Sequence, residues 1–384
     1  MSTSAQKIKT AVLIGVVAFA ALAALAFVVD SRLRATDANL GNLSRVGAFD
    51  TSSGISKLTA GSKEALPVLA DAMPPFAGIN AWLNSDALTP ESLKGKVVLI
   101  DFWTYSCINC IRTLPYVTSW YEKYKDKGFV VVGVHTPEFA FEKVLGNVRD
   151  ALKRNGIDYP VALDNDYGTW NNYGNQYWPA HYLFDASGKL RETHFGEGAY
   201  DETEHDIQLL LAEAGKHADV PVTQVPTAID FQKIGSPETY VGYKRQEYFG
   251  SPERVVRDAD GRYSVPDPLR PNMFALDGTW NIQSEKGVLS RAGGAVVYDF
   301  NASNANLVMG GGGKTVRAEV TLDGKPVPSG MRGGDVIEDG GKTYVDVSGQ
   351  RLYSLIDTRG QYGTHILRLQ FSDAGVECYA FTFG

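Results

Sequence analysis

Cys107 and Cys110 stand at C-x-x-C spacing, and only one other cysteine, Cys378, occurs in the 384 residues. Two thiols one helical turn apart can carry out thiol–disulfide exchange. Cys107 attacks a disulfide as a thiolate, and Cys110 then closes a ring with it and releases the product. One cysteine alone would stall at the mixed disulfide. Other uses of the spacing fit less well. A zinc site needs a second ligand pair, and no further C-x-x-C or H-x-x-H is present. Haem attachment needs a histidine after the second cysteine, where Ile111 stands. Copper carriers of the C-x-x-x-C type have another spacing. Three cysteines are too few for a disulfide-stapled scaffold. Cys378 lies in a predicted strand and reads as a small buried residue, with a resolving or intermolecular role as the lesser alternative.

The elements that must position the pair follow from the hydrophobic pattern. Val97–Trp103 is a continuous apolar run and predicts a buried strand. A helix is expected from Cys107 to Lys127, stopped by Gly128. Cys107 then sits at a helix N-terminus, where the dipole and unpaired N–H groups favour a thiolate over a thiol. Phe129–Val134 predicts a second buried strand, Phe139–Arg154 a second helix, and Ala180–Phe184 with Leu190–Phe195 a hairpin around Asp185–Gly188. Asp201, with Glu204 three residues on, is expected to cap a last helix bearing Ile207, Leu210 and Leu211. The order is β-α-β-α-β-β-α with a short insertion around 160–175, which implies a sheet covered on both faces.

The stretch Asp101-Phe102-Trp103-Thr104-Tyr105-Ser106-Cys107-Ile108-Asn109-Cys110 resembles the thioredoxin active site, most closely that of the membrane-tethered, periplasm-facing TlpA-like branch. Trp103 and Pro115 match the superfamily's structural tryptophan and helix proline. Trp178-Pro179 resembles the cis-proline loop, which in this fold hydrogen-bonds an extended substrate. Asp101 takes the place of the superfamily's buried aspartate, and a buried carboxylate can accept the proton that the resolving cysteine must lose. Two departures stand out. Ser106 replaces the common tryptophan before the first cysteine, and Thr113 stands where many TlpA-like proteins carry a glutamate. Tyr105 is expected to line the substrate groove. His135 and His181 are candidates to tune the thiolate or bind substrate, although an ordinary structural role is favoured for each. Thr104-x-x-Cys107 imitates a peroxidatic motif, but the proline that normally precedes it is missing, with Ile100 in its place.

Within the superfamily, Val131–Glu138, Tyr159–Asn165, Tyr177–Ala180 and Tyr379–Gly384 are similar to the extracytoplasmic part of DipZ-type proteins. That resemblance implies an α/β thioredoxin fold plus an all-β jelly-roll-like sandwich, related to carbohydrate-binding modules. DipZ-type proteins typically begin with a multi-span electron-conducting domain, whereas here there is one candidate span. The resemblance therefore implies a separate CcdA/DsbD-like membrane electron donor. It also implies disulfide-bearing envelope proteins as clients, with carbohydrate or another subunit as a further partner of the sandwich. The function implied is an extracytoplasmic reductase of protein disulfides with no cofactor beyond the Cys107–Cys110 couple and no metal. The alternatives are a thiol peroxidase or an envelope binding protein acting through the sandwich.

Composition agrees with export. Residues 11–29 carry no charge, and nineteen residues span about 28 Å, close to a bilayer core. An N-terminal transmembrane helix is expected, placing the soluble part outside a bacterial cytoplasmic membrane, with cleavage near Ala24-Leu25-Ala26 as the alternative. The expected organisation is an anchor or signal at 1–30, a tether at 31–74, a thioredoxin-like domain at 75–216, a linker at 217–239 and the sandwich at 240–384. Glycine use shifts with it, 23 of the 40 glycines lying in 231–384. In the sandwich, Trp280, Tyr344, Tyr353 and Tyr362 are candidates to stack on sugars, with core packing favoured for each. A net charge of −7 argues against a nucleic-acid partner.

Overall fold

Strand β2 (Val97–Trp103) is buried along all seven residues, as its uninterrupted apolar run demands. It is central to a six-stranded sheet in the computed structural model, which describes residues 65–218, 220–226 and 229–384. The other strands are β1 (Ala81–Leu83), β3 (Phe129–His135), β4 (Val161–Leu163), β5 (Ala180–Phe184) and β6 (Leu190–Phe195). Their order is β1-β4-β3-β2-β5-β6, with β2, β3 and β4 parallel and the others antiparallel to their neighbours. The expected anchor at 11–29 and most of the tether lie outside the described residues. Among the described residues no helix is long and apolar enough to cross a membrane.

Strand alternation assigns side chains to two faces. Leu99 and Trp103 pack on one face with Leu114, Val117 and Trp120 of helix α1 (Ile108–Tyr124). Val98, Ile100 and Phe102 pack on the other with Trp170 and Tyr182. Asp101 has the parity of the first set, so it points towards α1. The remaining helices are α2 (Leu145–Asn155), α3 (Gly168–Asn172) and α4 (Tyr200–Glu213).

Three local expectations are corrected. The helix expected over Phe139–Arg154 is split into a 3-10 turn at Ala140–Lys143, an extended Val144 and α2. The cause is Glu142, whose carboxylate folds back onto the amides of Glu138 and Phe139. Asp201 does not cap α4. The cap position is Ala199 in the left-handed region, and Asp201 lies in the first turn, where its charge complements the helix dipole. The insertion around 160–175 supplies β4 and α3, whose first amides are bonded by the Asp164 carboxylate. The fold also reaches into the expected tether, where Leu69 and Ala70 pair with Leu190 and the Leu66 carbonyl accepts from Arg191.

The second half holds thirteen antiparallel strands between Thr239 and Phe383 on one hydrogen-bonded network. The long strand Phe274–Ile282 joins two arrays, pairing with Ala295–Ala302 at its start and with Gly287–Leu289 at its end. Trp280, Leu307 and Phe381 from one array share a single core with Val320, Val345 and Leu369 from the other. Trp280 and Tyr353 are fully buried there, so neither can stack on a sugar. Arg317 covers the Tyr344 ring and Lys233 the Tyr362 ring. Cys378 is buried in the same core, and burial pushes its thiol up. The halves meet through Val308, Tyr379 and Ala380, which share an apolar cluster with Leu114, Phe139 and Phe141.

One buried carboxylate fastens α1. Glu204 on α4 accepts from the Trp120 indole at 2.9 Å, the Tyr124 hydroxyl at 2.8 Å, Lys123 Nζ at 2.8 Å and the Thr223 amide at 2.6 Å. Burial alone would raise this carboxyl, but the Lys123, Thr223 and Tyr124 bonds hold it below the usual glutamate value. Its contribution is therefore complete above the unfolded value and is lost as pH falls through the lower folded one. Glu204→Ala is expected to cost about 3–5 kcal/mol near neutrality in denaturant unfolding, with a smaller loss in acid. An equal loss at both pH values would mean that the carboxylate charge contributes nothing.

Candidate active site

Helix α1 starts at Ile108, so Cys107 is its N-cap residue, half-buried, with no side-chain cap bond. No acidic residue occupies the first turn. Cys110 lies one turn further on and is buried in the α1–sheet cluster. Both cysteines are free thiols. Burial first, then a hydrogen bond with Cys107 and the charge there, push the Cys110 thiol well up. The geometry thus presents one sulfur and hides the other.

Asp101 lies on the α1 face of β2 and is buried. Its Oδ1 is 3.4 Å from His181 Nε2, without the alignment of a hydrogen bond. Trp103 is fully buried and meets the His135 ring edge-on at 5.2 Å. The close contact of Gly133 with the Trp103 indole nitrogen leaves no room there for a Cβ. Trp178–Pro179 is a cis peptide just before β5, at the sheet end where β2 leads into the cysteine loop. Trp178 donates to the Thr136 carbonyl at 3.1 Å and packs on Trp170 at 4.2 Å. Pro115 is exposed within α1. Thr113 bonds back to the Asn109 carbonyl.

Tyr105 is not a groove residue. It is buried, stacks on His135 at 5.6 Å and reaches the carbonyls of Phe141 and, in the β half, Gln350. His135 is also enclosed, 3.3 Å from the Thr104 hydroxyl, and burial lowers its pKa to about 3. It is neutral at physiological pH and supplies no positive charge to a thiolate. The Thr104 hydroxyl of the peroxidase-like motif is engaged in that same contact.

Glu142 was not singled out from the sequence. Its Oε1 accepts from the Ser106 hydroxyl at 2.6 Å and the Ser106 amide at 3.3 Å, and its Oε2 from the Glu138 and Phe139 amides. It thereby holds the residue just before Cys107. A signal existed, since in the expected helix Glu142 would share a face with Phe139. Next to it, Glu138 accepts from Tyr240 and Arg245 of the β half, each at 2.7 Å.

A groove of about 350 Å³ opens beside Cys107. Ile108, Asn109 and Arg112 form one wall, and Phe231, Ile234 and Phe383 the other. Arg112 is committed to Glu197 at 2.7 Å and 2.8 Å. Among the described residues no cluster suited to a metal ion is found.

Two family models match the chain. Residues 69–209 match Redoxin and residues 236–384 match the thioredoxin-like C-terminal domain. Protein DipZ of Mycobacterium tuberculosis is 39% identical over 316 residues, covering 81% of this chain and 42% of DipZ. The chain therefore spans less than half the length of that relative. Thiol-disulfide oxidoreductase YkuV of Bacillus subtilis is 32% identical over 145 residues, 38% of this chain and 97% of YkuV. Thiol-disulfide oxidoreductase ResA of Bacillus thuringiensis is 31% identical over 122 residues, 32% of this chain and 68% of ResA.

Burial, then the charge of Glu138, push the Glu142 carboxyl up to about 7 against its hydrogen bonds. The folded state then holds a proton that the unfolded chain releases above about pH 4.3, so stability falls as pH rises from there to about 7. The gap in unfolding free energy between wild type and Glu142→Gln should move by about 3 kcal/mol between about pH 4 and pH 8, in the variant's favour at the higher pH. A constant gap would mean that Glu142 is ionised throughout.

Proposed function

Because the chain belongs to the thioredoxin-like family of thiol–disulfide oxidoreductases, we propose that it reduces disulfides of extracytoplasmic client proteins through Cys107 and Cys110. The observation that carries this reading is the pair itself, with one thiol open to a groove at a helix N-cap and the second buried one turn behind it. The Cys107 thiolate attacks a client disulfide, forming a Cys107–client bond and releasing one client thiol. Cys110 then attacks the Cys107 sulfur, forming the Cys107–Cys110 disulfide and releasing the second. Asp101 takes the proton that Cys110 gives up. Trp178 and Pro179 hold the client segment in extended form, while Trp103 and Pro115 shape the surroundings.

The finer reading concerns location and partners. Residues 1–30 anchor the chain in a bacterial cytoplasmic membrane or export it, and the segment that follows acts as a tether up to the residues near Leu66 that join the folded part. Residues 75–216 are catalytic, 217–239 link, and 240–384 form a jelly-roll-like sandwich of the carbohydrate-binding-module type. A CcdA/DsbD-like membrane electron donor returns electrons to the couple, and no further cofactor is needed. Support comes from the similarity to DipZ and from the apolar run at 11–29.

Insulin reduction with dithiothreitol as the electron source tests the reading. Cys107→Ser should abolish turnover, and Cys110→Ser should accumulate a mixed disulfide with the client, seen as a band sensitive to reductant. Undiminished turnover by Cys107→Ser would overturn the assignment.

A further inference from the structure

Asp101, His181 and His194 stand directly opposite one another on three neighbouring strands, β2, β5 and β6. Paired residues share a face, so the three side chains form one row across the sheet on the α1 side, where Cys110 is buried. On the other side of Asp101 the paired residue is Gly133, which has no side chain. The polar row therefore runs one way only, towards the edge strand.

The row is dry at its inner end and opens outward. Asp101 and His181 are each 1% exposed, whereas His194 is half-buried. The first two approach to 3.4 Å, and the two imidazole centroids are 6.3 Å apart. Asp101 Oδ1, both ring nitrogens of His181 and His194 Nε2 are all buried without a hydrogen-bond partner in the protein. Buried polar atoms rarely stay unsatisfied, and several in register call for a role. A separation of this size between ring centres suits a bridging water.

Other ionisable groups face the row. Tyr159, whose hydroxyl is also unpartnered, feels the charges of Asp101 and Cys110. Glu192 on β6 interacts with His181 and with Asp206 of α4. Glu202 acts on His194. Trp120 meets His181 edge-on while bonding Glu204. Burial, then the charge of His181, lower the His194 pKa.

We propose that His181 is a positioning residue for Asp101 and, with His194, passes the proton of Cys110 outward across the sheet. This rests on the dithiol reading above and assigns the proton path of its second step. As Cys110 attacks the mixed disulfide, its S–H bond breaks and the Cys107–Cys110 bond forms. The Cys107–client bond breaks with its electron pair on the client sulfur, which takes a proton from water. The Cys110 proton goes to Asp101 and exchanges through His181 to His194.

The test uses the reduced full chain and a chromogenic aryl disulfide in stopped flow. Attack by Cys107 releases one chromophore in a concentration-dependent step, and resolution by Cys110 releases the second in a concentration-independent one. His181→Gln should slow the second step about tenfold or more and shift its pH profile. The first step should stay within about twofold. His194→Gln should slow the same step by a smaller factor. If both variants fold and resolve with the wild-type rate and pH profile, the proposal is overturned. If His181→Gln does not fold, His194→Gln decides alone, an unchanged second step overturning the proposal and a slowed, shifted one supporting it. Absence of the first step in the wild-type chain would instead overturn the dithiol reading.

Discussion

A buried thiol must shed its proton before it can attack, and burial is what makes that hardest. Cys110 is held under this constraint, with its thiol pushed well up. The elements around it read as responses. Helix α1 begins one residue after Cys107, which turns one sulfur outward and the other inward. Strand β2 is placed so that its single carboxylate, Asp101, falls on the same inner face. Glu204 keeps α1 against the sheet by gathering Trp120, Tyr124 and Lys123 onto one buried anion.

The β half contributes to the same site. Tyr379 packs on Phe141 at 4.7 Å and on Phe139 at 5.3 Å, so the turn bearing Glu142 is clamped from the far side. That turn holds Ser106, and Ser106 adjoins Cys107. Phe231, Ile234 and Phe383 close the groove opposite α1. The groove wall and the support of the cysteine loop thus both depend on residues far along the chain from the C-x-x-C motif.

The half that carries the C-x-x-C pair was readable where a single local signal dominates. A continuous apolar run placed β2 at its observed limits, the Asp185–Gly188 turn placed β5 and β6 on either side of it, and Gly128 marked the end of the 3-10 turn that follows the cysteine helix. Reading failed where a buried polar contact overrides local pattern. Glu142 breaks a segment with helical periodicity, and the cap assigned to Asp201 falls to Ala199 because Glu204, its supposed capping-box partner, is drawn into the core. Short strands such as β1 and β4 have three residues each and too few side chains to show alternation. Tyr105 was misplaced because adjacency to the cysteines does not reveal which way a ring turns. The row from Asp101 to His194 depends on pairing register, which a single strand's sequence does not contain.

The reduction potential of the Cys107–Cys110 couple tests the central claim most directly. It can be measured by equilibrating the full chain with defined ratios of reduced and oxidised glutathione or dithiothreitol. A reductase of client disulfides should lie near thioredoxin, at about −270 mV, and well below strong oxidants at about −120 mV. A value near the oxidant end would contradict the account, because the couple would then give disulfides to its clients rather than remove them.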